Sequence, residues 1–322
     1  MQFTRRSFGL ATTGAALLPV LPAAAKAVAP AGAQAPGFYR VKVGTIEVTI
    51  LNDAVGALPA KLYSGDTASA EKTLEANFAA KKDQAPTSFN QWLINDGKRL
   101  LLVDTGWSNG IGPAGGHLPK NLAAAGVDPA DIDDIVITHV HIDHVQGLLT
   151  PDKKVQFPNA VVHVDAKEYA WWTEGDIKPP DAKPFWKEFF EIGRTALKPY
   201  ADAGKVQTFK DGAELMPGVT AVTAPGHTVG HTMVRVSSGS DQLLLWTDIV
   251  HSAILQFPEP ERSIAFDLDP AQAIATRKKV MDMVSNDKMQ IAGTHIPFPG
   301  IGHVAKAATG YAFVPLLWSP AV

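Results

Sequence analysis

The 322-residue sequence contains no cysteine, and that one absence removes disulfides, thiolate metal ligands and a cysteine nucleophile together. Any metal must therefore be held by histidine, aspartate or glutamate. Basic residues are not in excess, with 29 Lys and Arg against 32 Asp and Glu, so the electrostatic footprint of a nucleic-acid binder is missing and such a partner is excluded. No apolar run reaches the roughly 20 residues that cross a bilayer as a helix. Internal repeats of roughly 20 to 50 residues are lacking too, which argues against a solenoid.

The first 27 residues differ from the rest. They carry Arg5, Arg6 and Lys26, no acid, and an apolar stretch from Phe8 to Leu21, the pattern of an export signal. Thr4-Arg5-Arg6-Ser7-Phe8-Gly9-Leu10 resembles the twin-arginine signal that sends folded proteins across the bacterial inner membrane, which implies the twin-arginine export machinery as a partner and a periplasmic location. Ala23, Ala25 and Ala27 offer A-x-A cleavage sites. Removal of residues 1–27 leaves 26 basic residues against 32 acidic ones, a formal charge of −6. A flexible Pro/Ala-rich spacer over 28–36 then leads into one domain, 37–322. Its composition, within a chain that is 46% apolar and 19% charged, is ordinary for a globular protein and sufficient for a sizeable core.

Strand signals occur at Gly44 to Leu51 and at Phe89 to Ile94 with Arg99 to Val103, the last two flanking the turn Asn95-Asp96-Gly97. Further short apolar strands are expected at Ile135 to Thr138, Val161 to Val164, Val219 to Ala224, Met233 to Val236, Gln242 to Thr247 and Met289 to Gly293. Helices are interleaved at Leu118 to Ala125, after Asp128-Pro129, and after Asp269-Pro270 to about Ser285, the last two starting with a cap residue followed by proline. This alternation favours a layered α/β architecture. Lys167 to Gly204 holds Trp171, Trp172, Phe185, Trp186, Phe189 and Phe190 and reads as a helical, aromatic-rich insertion. Most of these rings are expected to pack the insertion on the body, with Trp171 and Phe189 left to bind the apolar part of a substrate.

The densest signal is His139-Val140-His141-Ile142-Asp143-His144, delivered by the strand Ile135 to Thr138. His227, Asp248 and His295 likewise follow strands, and in an α/β sheet sites form at one end of the strands. Two residues apart in an extended loop, His139 and His141 can face one cation, with His227 completing its set. Asp143, His144 and His295 then face a second, and Asp248 is placed to bridge. Nitrogen and oxygen donors without sulfur suit Zn2+ first, with Mn, Co or Fe as alternatives. Two such ions about 3.5–4 Å apart can share and activate a water. The bland alternative for the run is a solvated loop. His303 competes with His295 for the last position. Asp104 is expected to orient the ligand loop, while His117, His163 and the charges at Lys278 and Lys279 carry no site role.

With H-x-H-x-D-H present as His139, His141, Asp143 and His144, and with His227 in Pro225-Gly226-His227-Thr228-Val229-Gly230-His231, Asp248 and His295 following, the sequence resembles the metallo-β-lactamase superfamily. The nearer likeness is to its methyl parathion hydrolase and aryl-lactonase branch, through Leu102-Val103-Asp104-Thr105-Gly106, Phe157-Pro158-Asn159-Ala160-Val161-Val162 and Phe298-Pro299-Gly300-Ile301-Gly302-His303. The resemblance implies an αββα four-layer sandwich with a dinuclear site at one edge, possession of two divalent ions, and a metal-bridging hydroxide that opens lactones or cleaves aryl esters. Organophosphate triester hydrolysis is the alternative, and a non-catalytic periplasmic metal-binding module the outlier. A homodimer is expected by analogy. Asp143, Asp248 and His251 are the expected catalytic groups, and Ile264 and Phe266 join Trp171 and Phe189 at the pocket. His251 either holds or protonates the leaving oxygen, or simply packs.

Overall fold

The computed structural model describes residues 29–108, 115–174 and 184–322. The expected signal peptide lies outside the described residues. Residues 29–35 belong to a separate unit and carry no helix or strand, whereas Pro36–Val322 form the main unit.

Two seven-stranded sheets are each laid down in chain order. The first holds β1 (Phe38–Val43), β2 (Ile46–Pro59), β3 (Gln84–Asn95), β4 (Leu100–Val103), β5 (Asp134–Ile137), β6 (Val161–Asp165) and β7 (Val206–Phe209). The second holds β8 (Glu214–Met216), β9 (Val219–Thr223), β10 (Thr232–Ser238), β11 (Asp241–Thr247), β12 (Gln290–Gly293), β13 (Ile301–Lys306) and β14 (Tyr311–Pro315). The helices are α1 (Thr67–Ala76), α2 (Leu118–Ala124), α3 (Ile142–Val145), α4 (Ala166–Thr173), α5 (Pro184–Asp202), α6 (Ala253–Gln256) and α7 (Pro270–Asn286).

The period-two alternation of buried strands sorts their side chains into the layers of an α/β sandwich. Leu101, Val103 and Val136 of the first sheet meet Leu243, Leu245 and Ala292 of the second between the sheets. Their neighbours point the other way: Leu102, Ile135 and Ile137 pack under Leu122, Trp172, Trp186 and Leu197 of α2, α4 and α5. On the far side Leu244, Trp246 and Ile291 pack under Val280, Met281 and Val284 of α7. The order is thus helices, sheet, sheet, helix.

Topology brings the ligand-bearing loops to one edge. Strands β4, β5 and β6 are mutually parallel. Strand β9 is antiparallel to β10, which is antiparallel to β11, and β11 is parallel to β12, so β9, β11 and β12 share a direction. The carboxyl ends of β4, β5, β9, β11 and β12 therefore lead into Asp104, His139, His227, Asp248 and His295.

Several elements exceed the sequence expectation. Strand β2 runs on to Pro59 and β3 starts at Gln84, as a two-stranded arm with a register shift between Asn52 and Ala54. A bulge there turns out Asp53, whose carboxylate accepts from Trp107 N (2.8 Å) and Leu118 N (2.9 Å). Strands β1, β7, β8, β13 and β14 are additional to the expected set. The insertion is helical, as α4 and α5.

Because Leu245 is fully buried between the sheets, Leu245→Ala should cost about 2–5 kcal/mol of stability. Leu317→Ala, at an 87% exposed position, should stay within about 0.5 kcal/mol. Urea unfolding midpoints of the two variants check the pair.

Candidate metal centre

Five imidazole nitrogens surround one buried carboxylate oxygen, Asp248 Oδ2. Their Nε2 atoms lie at 3.0 Å (His295), 3.3 Å (His144), 3.3 Å (His251), 3.5 Å (His227) and 3.7 Å (His139). Most of these separations are long for hydrogen bonds. They are close to the spacing of about 3.3 Å between neighbouring ligands on a tetrahedral zinc with bonds of about 2.0–2.1 Å. His141 Nδ1 stands 3.1 Å from His139 Nε2, which continues the same spacing. Ligand-capable atoms group as His139, His141 and His227, and as Asp143, His144, Asp248 and His295. The seven expected ligands are thus brought together, with Asp248, expected as the bridge, grouping with Asp143, His144 and His295.

The tautomers are fixed from behind. Thr138 gives its hydroxyl proton to Asp104 Oδ2 (2.8 Å), so its oxygen accepts from His139 Nδ1 (3.2 Å). His144 Nδ1 donates to Asp104 Oδ2 (2.7 Å), His227 Nδ1 to Asp267 Oδ1 (2.8 Å) and His295 Nδ1 to the Ser88 carbonyl (3.1 Å). Each of these four rings is left with an Nε2 lone pair facing the centre, the arrangement a cation requires. The buried atoms His141 Nε2, His144 Nε2, His227 Nε2, Asp248 Oδ1 and His251 Nδ1 have no hydrogen-bond partner. Such orphans cost about 1–3 kcal/mol each unless something occupies the point they face. The donor set fits divalent metal ions.

Without a cation, protons balance the carboxylates. Burial alone pushes His144 down, yet Asp248, Asp143 and Asp104 outweigh it and hold the ring well above the ordinary imidazole value. His227 is likewise opposed by burial but is carried up to about 9 by Asp248 and Asp267. Burial would raise Asp248, but His144, His295 and His139 keep it well below the usual carboxylate range. Burial takes His139 and His141 well below the ordinary value and His251 down to about 4, so these rings are neutral. A neutral His251 has a hydrogen bond to offer but no extra proton to deliver.

Three supports carried no role in the sequence reading. Glu168 of α4 is fully buried and accepts from Val140 N (3.0 Å), Gly230 N (2.8 Å) and Trp172 Nε1 (2.6 Å), fastening the 139–144 loop to the 227–231 loop. A Cβ at Gly230 would stand 2.7 Å from Glu168 Cβ, so only glycine lets the loop approach. His231 donates from Nδ1 to the Ala224 carbonyl (3.0 Å), and its Nε2 lies 2.7 Å from Thr247 Oγ1 and 3.3 Å from Asp248 N. It is a backing group, not a ligand. Asp267, one residue past Phe266, orients His227. A lone acid among aromatics at Glu168 and a second histidine four residues after His227 were the available signals.

Asp104 (φ +62°) and Thr247 (φ +52°) adopt left-handed backbone at the ends of β4 and β11. For a β-branched threonine this is strained, by about 1–3 kcal/mol.

A cavity of about 60 Å³ opens on the centre, lined by Leu58, Phe89, Trp107, Phe189 and Phe266 together with His141, Asp143, Asp248, His251 and His295. Of the expected pocket residues, Phe189 and Phe266 belong to this lining. Trp171 does not: neighbours on a helix diverge by about 100°, and it is Trp172 that packs on His141 (5.7 Å) while Trp171 rests on Trp172 and Phe190. Ile264 is also elsewhere, buried with Tyr63, Leu74 and Leu255. His303 sits on β13 away from the donor groups, His117 precedes α2, and His163 pairs with Asp134 (2.8 Å).

Residues 86–295 match the sequence model of the metallo-beta-lactamase superfamily. Among solved structures, the hydrolase AbOPH of the beta lactamase superfamily is 31% identical with TM-score 0.81, covering 89% of this chain and 100% of its own. AidC, described as a dizinc quorum-quenching lactonase, is 28% identical with TM-score 0.81, covering 88% of this chain and 98% of its own. The N-acyl homoserine lactonase AttM of Agrobacterium fabrum is 31% identical over 140 residues, 41% of this chain and 46% of that protein. The chain thus spans under half the length of the curated relatives it matches.

Two outcomes follow from this electrostatic balance. His227 is raised from 6.5 to about 9, so its contribution to the stability of the metal-free protein is complete below about pH 6.5 and lost as pH rises through about 9. Denaturation midpoints of metal-free protein should fall over that window, and those of metal-loaded protein should not. Asp267→Asn, which weakens the hold on His227, should lower metal affinity by about 10–100-fold in chelator competition.

Proposed function

This chain belongs to the metallo-beta-lactamase superfamily as a metal-dependent hydrolase, and from that premise we propose that it opens neutral lactones bearing an apolar substituent, with aryl esters as the neighbouring class. The observation that carries the reading is the lining of the cavity over the donor set. Among the described residues it joins five apolar side chains to the metal-binding groups, with no lysine or arginine. An anionic ester or a glutathione thioester would find no basic side chain among these residues to hold its carboxylate, whereas an uncharged carbonyl substrate needs none. The lactonase names of AidC and AttM support the same class.

Two divalent ions, Zn2+ first, held by His139, His141 and His227 and by Asp143, His144, Asp248 and His295, would supply an activated water near neutral pH and electrophilic stabilisation of the developing oxyanion. The remaining roles fall to the chain. Asp143 and Asp248 are held ionised by the histidines around them and compensate the cationic charge. Phe189 and Phe266, with ring centroids 6.1 Å apart, form an apolar wall beside the site. A space of about 60 Å³ is far below the roughly 300–1,000 Å³ of a pocket that engulfs its ligand. It takes the reacting carbonyl, and the substituent lies outward along those rings.

Neutral phosphotriesters satisfy the same charge argument and form the second reading. Comparative kcat/KM on an alkyl lactone, an aryl ester and an aryl dialkyl phosphate separates them: the lactone should lead, and a phosphotriester preference above about tenfold sinks the proposal. Asp248→Asn should lower lactone kcat/KM on the order of 10³-fold. Phe189→Ala should chiefly raise KM, by roughly tenfold for about 1.4 kcal/mol of lost apolar contact.

A further inference from the structure

His251 has the geometry of a ligand although it lies outside the two donor groups just described. Its Nε2 is 3.3 Å from Asp248 Oδ2, as close as His144 Nε2 and closer than His227 Nε2 at 3.5 Å or His139 Nε2 at 3.7 Å. Its ring is stacked on that of His295 (centroids 4.9 Å apart, interplanar angle 21°) and lies 4.7 Å from that of His227. Ligand-capable atoms of His227, Asp248 and His251 all fall within 4.8 Å of one another. Its second nitrogen, Nδ1, is buried and unpartnered.

The backbone that presents the ring is held from both sides. His251 N donates to Gln256 Oε1 (2.6 Å), and its carbonyl accepts from Tyr63 Oη (3.2 Å). Gln256, itself fully buried, also takes Ser252 N (3.2 Å) and gives its amide to the Arg262 carbonyl (2.8 Å).

We propose that His251 is an eighth metal-binding residue, forming with His227 and Asp248 a third donor set for a divalent cation that overlaps the other two. This rests on the metal-centre reading above. Because His227 also serves the first set and Asp248 the second, the third position is an alternative seat for an ion already in the centre, not a place for an independent one. Stoichiometry therefore stays at two ions per chain. Removal of His251 weakens the hold on one of them.

The test uses Co2+ as the probe. Metal-free full-length protein is titrated with Co2+, following the visible d–d bands and the metal content by mass spectrometry, for the parent chain, His251→Ala and His251→Phe. The phenylalanine keeps the ring stacking and removes the nitrogens. The expected result is two Co2+ per chain throughout, one bound about tenfold more weakly in both variants with an altered d–d spectrum, and the other unchanged. Affinities and spectra equal to the parent in both variants overturn the proposal, and His251 is then a hydrogen-bonding neighbour of Asp248. If neither variant folds, the parent decides: its Co2+ form should show hyperfine-shifted ring resonances from six histidines, and five overturns it. Failure of the parent to bind Co2+ at all would instead overturn the metal-centre reading.

Discussion

One carboxylate oxygen organises this molecule. Asp248 Oδ2 sits among five imidazole nitrogens at 3.0–3.7 Å, all from fully or nearly fully buried side chains. Such a cluster is electrostatically untenable unless protons or metal ions occupy it, because a buried charge without compensation costs several kcal/mol. Burial and mutual repulsion pull the rings toward neutrality, while Asp104, Asp143, Asp248 and Asp267 pull His144, His227 and His295 toward the charged form. The scaffold holds this balance in place. It stops β4, β5, β9, β11 and β12 at one edge and clamps the ends with Glu168, His231 and Asp267.

The clamp is where conformational strain is spent. Asp104, at the end of β4, and Thr247, directly before the ligand Asp248, hold left-handed backbone. Both are tied by side-chain hydrogen bonds to the residues they support: Asp104 to Thr138 and His144, and Thr247 to His231. A ligand whose preceding residue has one available conformation loses little entropy on binding a cation, which is how a strained turn becomes metal affinity.

The ligands were legible in the sequence because they combine two independent signals, residue type and position directly after a buried strand. Layering was legible for a similar reason, since runs such as Leu243 to Trp246 alternate faces. The supports were harder to read. Glu168 reaches across from a helix to two loops 28 and 62 residues away, and Asp267 reaches His227 across 40 residues; no local pattern encodes such pairings. Trp171 and Ile264 were misplaced because helix phase and side-cluster packing, not composition, decide which apolar residue meets the cavity. Strands β13 and β14 give only a weak apolar signal, because Gly302, His303 and Lys306 interrupt the first while the second is five residues long, mostly exposed and ends at Pro315.

Each sheet is wound in chain order, so the molecule is two consecutive halves joined face to face. The first half contributes His139, His141, Asp143 and His144 from one loop, and the second contributes His227, Asp248 and His295 from three. The set His139, His141 and His227 and the set Asp143, His144, Asp248 and His295 each draw on both. A metal ion here is thus a stitch across the seam. At a free concentration 1,000 times its Kd, each ion would add about 4 kcal/mol to the cohesion of the halves. A lapse in metal supply would therefore loosen the architecture as well as silence the chemistry, and proteases would have an opening that the loaded molecule denies them.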